Sequence, residues 1–511
     1  MQSVSNNNKL IAKNTFFLYG RLIVTAIISL YISRIVLKLL GVEDYGLYNL
    51  VGGFVSLLAI FTFSISSSCQ RFLVYELGKG DTQTKLSETF CTISVMLMFF
   101  SLIFFVIAGV VGIFFIEYIF NIPVGKTNIA IIAFLCSLIV FCVDLLSVPY
   151  MSLVIAHEKM DFYALVSILE TVLKLVVVLL MDNIEFSRLA YYAISLVVVA
   201  CIIRTVYFIY CKRCFSESRF FWTFNKEIFI EITSFTFWVG LGSFAGLLKD
   251  QGGSVLINIF FGVTLNAACG IASQVRAIAS QLSNNIGLAI TPQITKSFSS
   301  GNTQRSISLT FLLARAKTML IVLVALPILI ETPCILRLWL VNPPAYSIEF
   351  TRVILLLGIV QTIEMSHGTL FLAIGKVKRF EICTSIITLL VLPLTYICYL
   401  CDFPSISYYI ICIFMEIFLI FYCFGFLVKA VAFPLKKFLW EVVGKMFIVS
   451  VIPVVIVLVV EKLIVIESDV FQMTINIVLC VLSYLVCVYY IGLNKYERSF
   501  VKEFLSINLK M

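Results

Sequence analysis

Long apolar runs alternate with short polar connections from one end of this chain to the other. Fourteen such runs lie near 15–38, 45–68, 90–114, 128–154, 162–181, 189–210, 232–260, 267–291, 311–332, 350–373, 381–400, 406–428, 446–462 and 471–492. Each is about 20 residues long, enough to cross a ~30 Å hydrocarbon core as a helix. A membrane β-barrel would show alternating segments of about 10 residues instead. The pattern predicts an all-α polytopic membrane protein of about fourteen transmembrane helices.

The first hairpin sets the plan. An apolar helix carrying Arg21 and Arg34 leads into the connection Leu39 to Leu50, then a second helix, then the polar loop Gly78 to Gln83. The plan recurs 221 positions later: Gly41-Val42 matches Gly262-Val263, and Gly80 to Gln83 matches Gly301 to Gln304. Two matches in one register, with a whole helix between them, indicate a duplicated unit. Farther on, Pro149 to Phe162 pairs with Gly368 to Glu381 at an offset of about 218, the slip that a short loop deletion leaves. Spans one to six then pair with seven to twelve. Six spans per half keep the halves parallel, related by an axis along the membrane normal. The expected domains are an N-terminal lobe at 1–227, a C-terminal lobe at 228–440, and two further spans with a tail at 441–511.

Charge adds topology. Both termini and the loops near 71–88, 156–161, 211–227, 293–317, 375–380 and 429–445 hold 25 of the 37 Lys and Arg residues; the opposite connections hold six. The positive-inside rule places both termini in the cytoplasm, as an even number of spans requires. The net charge of +9 therefore reads as topology and contact with anionic lipid, not nucleic-acid binding.

Composition agrees. The chain of 511 residues is 61% hydrophobic and 13% charged, against about a quarter charged in soluble domains. Mean hydropathy is +1.07. The 16 cysteines are scattered through apolar runs as small hydrophobes. Cys211 and Cys214 form a lone CxxC beside Lys212 and Arg213, with no second pair to complete a metal site. No Walker A pattern points to ATP hydrolysis, and no histidine–carboxylate cluster points to a metal enzyme.

Charges within spans are costly and become the candidate site. Arg21 and Arg34 are thirteen residues apart, about 19.5 Å of helix rise, too far to grip one phosphate together. Both are also placed to snorkel to headgroups. Lys249 and Asp250 sit deep in span seven, within the stretch Gly246 to Ser254. A lipid-facing helix would not tolerate that stretch, so it is expected to line a wet cavity, with Gly252 and Gly253 kinking the helix. Arg276, with Gln274 and Gln281, adds polar groups from span eight. Glu170 and Lys174 are spaced to neutralise each other. Asp144, and the Glu364–His367 pair beside Gln361, are candidates for ion coupling, as is Asp250. Glu416 in span twelve has no evident partner in the sequence.

The segments Tyr31 to Val51, Arg71 to Asp81, Pro149 to Leu175, Asn258 to Val275 and Thr291 to Asn302 resemble those of bacterial polysaccharide-biosynthesis flippases, the Wzx-type transporters. The resemblance covers nearly the whole chain, through soft patterns of Gly, aromatic and charged residues. It implies the fold shared with MATE transporters in the multidrug/oligosaccharidyl-lipid/polysaccharide (MOP) exporter superfamily, two six-helix lobes around a central cavity. It implies alternating-access movement of undecaprenyl-pyrophosphate-linked oligosaccharide from the cytoplasmic to the periplasmic leaflet of the inner membrane, for O-antigen or capsule. Membrane lipids, a polysaccharide polymerase and a chain-length regulator are the partners it implies. No cofactor is expected, and coupling to a proton or sodium gradient would supply direction. Cationic residues on spans one, seven and eight are expected to meet the pyrophosphate; Arg21, Lys249 and Arg276 match by position, with Arg34 a further station. Two other readings stay open. One is a cation-coupled multidrug exporter of the same fold, which Lys249 and Arg276 disfavour. The other is a membrane enzyme of envelope glycan assembly.

Overall fold

The computed structural model describes every residue except 1, 57, 80–82, 119–121, 123–124, 184–186, 341–343, 376, 464–467, 495–496 and 499–511. Among the described residues are fourteen long helices and no strand. They are α1 (Gln2–Ser56), α2 (Ala59–Lys79), α3 (Gln83–Tyr118), α4 (Thr127–Ala156), α5 (Met160–Leu180), α6 (Arg188–Cys214), α7 (Lys226–Phe261), α8 (Val263–Ser299), α9 (Thr303–Leu340), α10 (Ser347–Ile374), α11 (Val377–Leu400) and α12 (Ser407–Val431). Two more follow, α13 (Leu435–Leu463) and α14 (Asp469–Gly492). Twelve of the fourteen are long and apolar enough to span a bilayer; α2 and α8 fall short. The reason is visible in their residues: Ser64, Ser66, Ser67, Ser68, Arg71 and Glu76 in α2, and Gln274, Arg276, Gln281, Asn284 and Asn285 in α8. The chain is a multi-pass membrane protein.

The repeat shows in the helix boundaries. From Gln83 to Thr303 and from Thr127 to Ser347 is 220 residues, from Met160 to Val377 is 217, and from Arg188 to Ser407 is 219. The α4–α5 and α10–α11 turns even share a left-handed residue, Glu158 (φ 58°) in one and Gly375 (φ 82°) in the other. The first hairpin departs from expectation. Gly41 and Val42 lie inside α1, and the chain breaks after Ser56, whereas Gly262 (φ 83°) does form the joint between α7 and α8. A glycine within a helix costs only about 1 kcal/mol relative to alanine, so Gly41 and Gly46 do not end α1 by themselves. Gly80 to Thr82 of the repeated loop lie outside the described residues.

By compactness the chain divides into one unit of Met1–Phe244 with Leu288–Asn302, and another of Ala245–Gly287 with Thr303–Met511. In the first unit α4 packs against α1, α2, α3 and α6. Its apolar core includes Val36, Leu47, Phe134, Leu138 and Tyr192. Gly112 leaves room for the Phe134 ring, which a methyl there would overlap. The outer face of α3 carries Leu102, Val106 and Val110 at four-residue spacing, all exposed, an apolar stripe suited to lipid tails.

Polar side chains fix the connections of this unit. Ser187 accepts from the Ala190 N–H and caps α6. Asn225 caps α7 by accepting from the Glu227 and Ile228 N–H groups, and its Nδ2 donates to Glu88. Glu158 is buried in its left-handed turn; Gln293 donates to its carboxylate at 2.8 Å and Asn14 to its carbonyl at 3.2 Å. Two separate resemblance segments, around Pro149 and around Thr291, therefore meet at one turn. Beside them His157 bonds Glu217 at 2.5 Å and stacks on Phe215.

In the second unit α10 packs on α9 and α12, and α14 packs on α9 and α13. Pro333 sits in α9 just after a kink at Glu331 (φ −99°, ψ 22°). Proline has no N–H to give the carbonyl four residues back, that of Leu329. Arg352 Nε donates to that carbonyl at 3.3 Å, while Thr332 Oγ1 donates to the Ile328 carbonyl at 2.5 Å and approaches Leu329 only at 3.3 Å. The Glu331 carboxylate at the kink accepts from buried Asn476 of α14 at 2.7 Å. Arg315 of α9 bonds Glu497 and lies 3.6 Å from Glu441, fastening the last two helices to α9. Gly252 and Gly253 do not break α7, which runs through them; they make room for Leu392 and the Tyr408 ring instead.

Two consequences are measurable. The His157 imidazole bonded to Glu217 holds that carboxyl below the usual carboxylate range. A depressed carboxyl stabilises the fold above its unfolded value of about 4.3, and that contribution disappears as pH falls through the folded value. Thermal unfolding in detergent should lose stability below about pH 4, and Glu217→Gln should flatten that limb; an unchanged limb refutes the assignment. At Gly253, alanine must displace Tyr408, at about 1–3 kcal/mol of overpacking. Gly253→Ala should lower Tm, and a raised Tm would show that helix propensity outweighs the packing.

Candidate functional site

Four charges and an amide meet inside the second unit. Lys249 and Asp250 come from α7, Arg276 from α8, Gln361 from α10 and Glu416 from α12. Lys249 Nζ lies 3.1 Å from Glu416 Oε1, and Gln361 Nε2 donates to the same oxygen at 2.9 Å. Arg276 donates through NH1 to Gln361 Oε1 at 2.9 Å, and its NH2 stands 3.5 Å from Asp250 Oδ2. Two cations and two carboxylates balance. An unpaired charge buried here would cost several kcal/mol, which explains why the acid sits opposite the base. The Tyr408 hydroxyl donates to the Lys249 carbonyl at 3.0 Å and pins α7 to α12 at this level.

The cluster is graded in exposure. The Lys249 and Glu416 side chains are 7% and 13% exposed, while Arg276 and Asp250 are 23% and 50% exposed. One end is sealed and the other is open. Gln274 and Gln281, on the same helix as Arg276, are also exposed. Glu364 lies half-buried one turn along α10 from Gln361, within electrostatic range of Glu416, Glu381, Lys249 and Lys317. The His367 side chain lies outside the described residues.

The first unit holds the remaining candidates. The Arg21 guanidinium sits over the Tyr163 ring, 5.1 Å from its centroid, a cation–π contact that holds the charge at a half-buried position. Arg34 is exposed. Asp144 opens onto a cavity of about 570 Å³ whose walls include Tyr48, Thr62, Ser66, Ser137 and Phe141. Glu170 and Lys174 are within its electrostatic range, and they bond each other at 2.5 Å across one helical turn.

Lys249, Asp250 and Arg276 are thus brought together. Glu416, without a partner in the sequence, supplies the acid, and Gln361 links it to Arg276. Lys249 and Glu416 are 167 positions apart. The signal in the sequence was the polarity itself: charges deep in span seven and a lone acid in span twelve, too costly to stand without partners.

Comparison with known proteins completes the description. The sequence profile of the family described as polysaccharide biosynthesis protein matches residues 11–298. No curated protein matches in sequence. Among solved structures, the chain is similar to a MOP superfamily transporter from Pyrococcus furiosus Vc1, described as having a binding pocket of reverse polarity suggestive of a different function. The two share 12% identity over 83% of this chain and 96% of that one, with a TM-score of 0.68. A multidrug resistance MATE family transporter in an outward-facing conformation shares 15% identity over 84% and 97%, with a TM-score of 0.68. The MATE transporter ClbM, in complex with Rb+, shares 15% identity over 82% and 94%, with a TM-score of 0.63. These likenesses show a common fold. The chain belongs to the polysaccharide biosynthesis protein family and has the fold of MOP superfamily transporters.

Proposed function

We propose that this chain is a flippase. It moves undecaprenyl-pyrophosphate-linked oligosaccharide repeat units from the cytoplasmic to the periplasmic leaflet of the inner membrane by alternating access, for O-antigen or capsule synthesis. The observation that carries the proposal is the open end of the α7–α8–α10–α12 cluster, where a half-buried guanidinium on the polar helix α8 stands beside spanning helices. Guanidinium suits phosphate through paired hydrogen bonds, and membership in a polysaccharide biosynthesis family supplies the glycan. Arg21 and Arg34, in the first unit, are the further candidate cations. The excess of Lys and Arg on one set of connections supports cytoplasmic termini. A polymerase and a chain-length regulator would take the product.

Binding alone sets no direction. Asp144, in its own cavity, is the first choice for coupling to a proton or sodium gradient, and Asp250 and Glu364 are the others. A structural neighbour that holds Rb+ supports cation binding within this fold. Multidrug neighbours and the carboxylates Asp250 and Glu416 favour a second reading, a cation-coupled drug exporter.

The leaflet distribution of lipid-linked oligosaccharide separates these readings. In a strain lacking the gene, full-length repeat units should accumulate facing the cytoplasm, and the wild-type gene should clear them. Arg276→Ala should leave them there while the protein stays in the membrane. Asp144→Asn should slow clearance and remove its dependence on the ion gradient. Normal distribution in the deletion strain together with raised drug sensitivity would replace the flippase with the exporter. A repeat unit lacking one sugar or acyl group would make the protein an enzyme.

A further inference from the structure

The connection between α6 and α7 is held firmly, yet it leaves large aromatic rings exposed. Its backbone is fastened to α3. The Phe221 N–H donates to Cys91 Sγ at 3.5 Å, and the Cys91 thiol donates to the Arg219 carbonyl at 3.7 Å. The Asn225 N–H donates to Thr92 Oγ1 at 3.3 Å, next to the bond from Asn225 Nδ2 to Glu88. On this fixed frame Phe220, Phe221, Trp222 and Phe224 are all exposed, Trp222 by 78%. Phe220 and Trp222 meet edge to face, with ring centroids 5.4 Å apart. The backbone from Phe220 to Asn225 is not helical. Its remaining peptide groups need water, so it cannot sit among lipid tails. Its rings are costly to leave in bulk water. Both demands are met at the headgroup level, where aromatic rings settle with one edge wet.

Charge says which headgroups. Lys212, Arg213, Arg219 and Lys226 flank the rings, and all four are exposed. The one acid between Lys212 and Lys226, Glu217, is buried and bonded to His157. Glu227 follows, exposed, and offsets a single charge. We infer that this connection is a docking strap for anionic phospholipid, in which the rings set the depth in the interface and the four bases select anionic over zwitterionic headgroups. Each base beside an anionic surface favours it by about fivefold. The strap joins two helices long and apolar enough to span the bilayer, so it begins and ends at the bilayer surface and lipid is always within its reach. Recognition is local to this segment and independent of the cargo. Its assignment to the cytoplasmic leaflet rests on the positive-inside reading, whereas the preference for anionic lipid does not.

The test uses the full chain in phosphatidylcholine nanodiscs, with Trp222 as the reporter. Trp238→Phe, Trp339→Phe and Trp440→Phe leave it the single tryptophan. A small fixed fraction of brominated lipid, either phosphatidylglycerol or phosphatidylcholine, then quenches Trp222 according to which lipid gathers at the strap. Brominated phosphatidylglycerol should quench severalfold more strongly than brominated phosphatidylcholine at the same fraction. Combining Lys212→Gln, Arg213→Gln, Arg219→Gln and Lys226→Gln should make the two lipids quench equally. Salt at about 1 M, where the screening length falls to ~3 Å, should do the same with all four bases in place, so the result does not hang on the folding of that variant. Equal quenching by the two lipids at low salt with the bases intact overturns the inference. So does a Trp222 that neither lipid quenches and aqueous acrylamide does, an outcome that gives the rings to a soluble partner instead. Both leaflets of a nanodisc carry the same lipid, so these outcomes are independent of sidedness. The cytoplasmic placement fails separately if external trypsin cuts the strap in sealed right-side-out vesicles.

Discussion

Lys249 and Glu416 face each other across α7 and α12 almost entirely out of solvent. Neither is tolerable in a bilayer without the other, because hydrocarbon offers no water to solvate a lone charge. That mutual need organises the second unit at this depth. It draws α12 to α7, where Gly253 allows the approach and Tyr408 seals it with a bond to the α7 backbone. It also sets the Gln361 amide on α10, and through it the Arg276 guanidinium on α8. A chain of four side chains from four helices thus ends in one half-open cation.

The same logic governs backbone groups. At several places a side chain takes up a backbone group that a proline or a turn leaves free: Arg352 behind Pro333, Asn225 at the start of α7, Asn14 at the Glu158 carbonyl. In a soluble protein water would serve many of these groups. Here the protein supplies the partners itself, and this is why helices with internal prolines persist in the membrane.

Much of the architecture was legible because the bilayer leaves so few options. Runs of about 20 apolar residues have to be helices, and the duplication appears in the helix boundaries as it did in the loops. The first hairpin was misread because glycine is a weak terminator; Gly262 adopts a left-handed conformation and Gly41 does not, and nothing local distinguishes them. Gly252 and Gly253 were read as kinking the helix, but the helix runs through them; Gly252 leaves room for Leu392 and Gly253 for the ring of Tyr408, more than 130 positions away. For the site, the charged residues of spans seven and eight were visible, but their counterions were not. Pairing across helices depends on packing angles that a single sequence does not encode in any local pattern.

The two α4–α5-type turns carry a consequence for how the chain is made. In the second half the left-handed position is Gly375, which adopts it without help, so that turn is complete as soon as its own residues have left the ribosome. In the first half the position is Glu158, a residue for which that conformation is unfavourable by about 1–2 kcal/mol. Its carboxylate is held by Gln293, 135 residues later in the chain. The earlier turn must therefore wait, incompletely secured, until translation has passed α8. At this one contact the order of synthesis and the order of consolidation run in opposite directions, because the turn gains its last side-chain fastening from a segment of the second repeat.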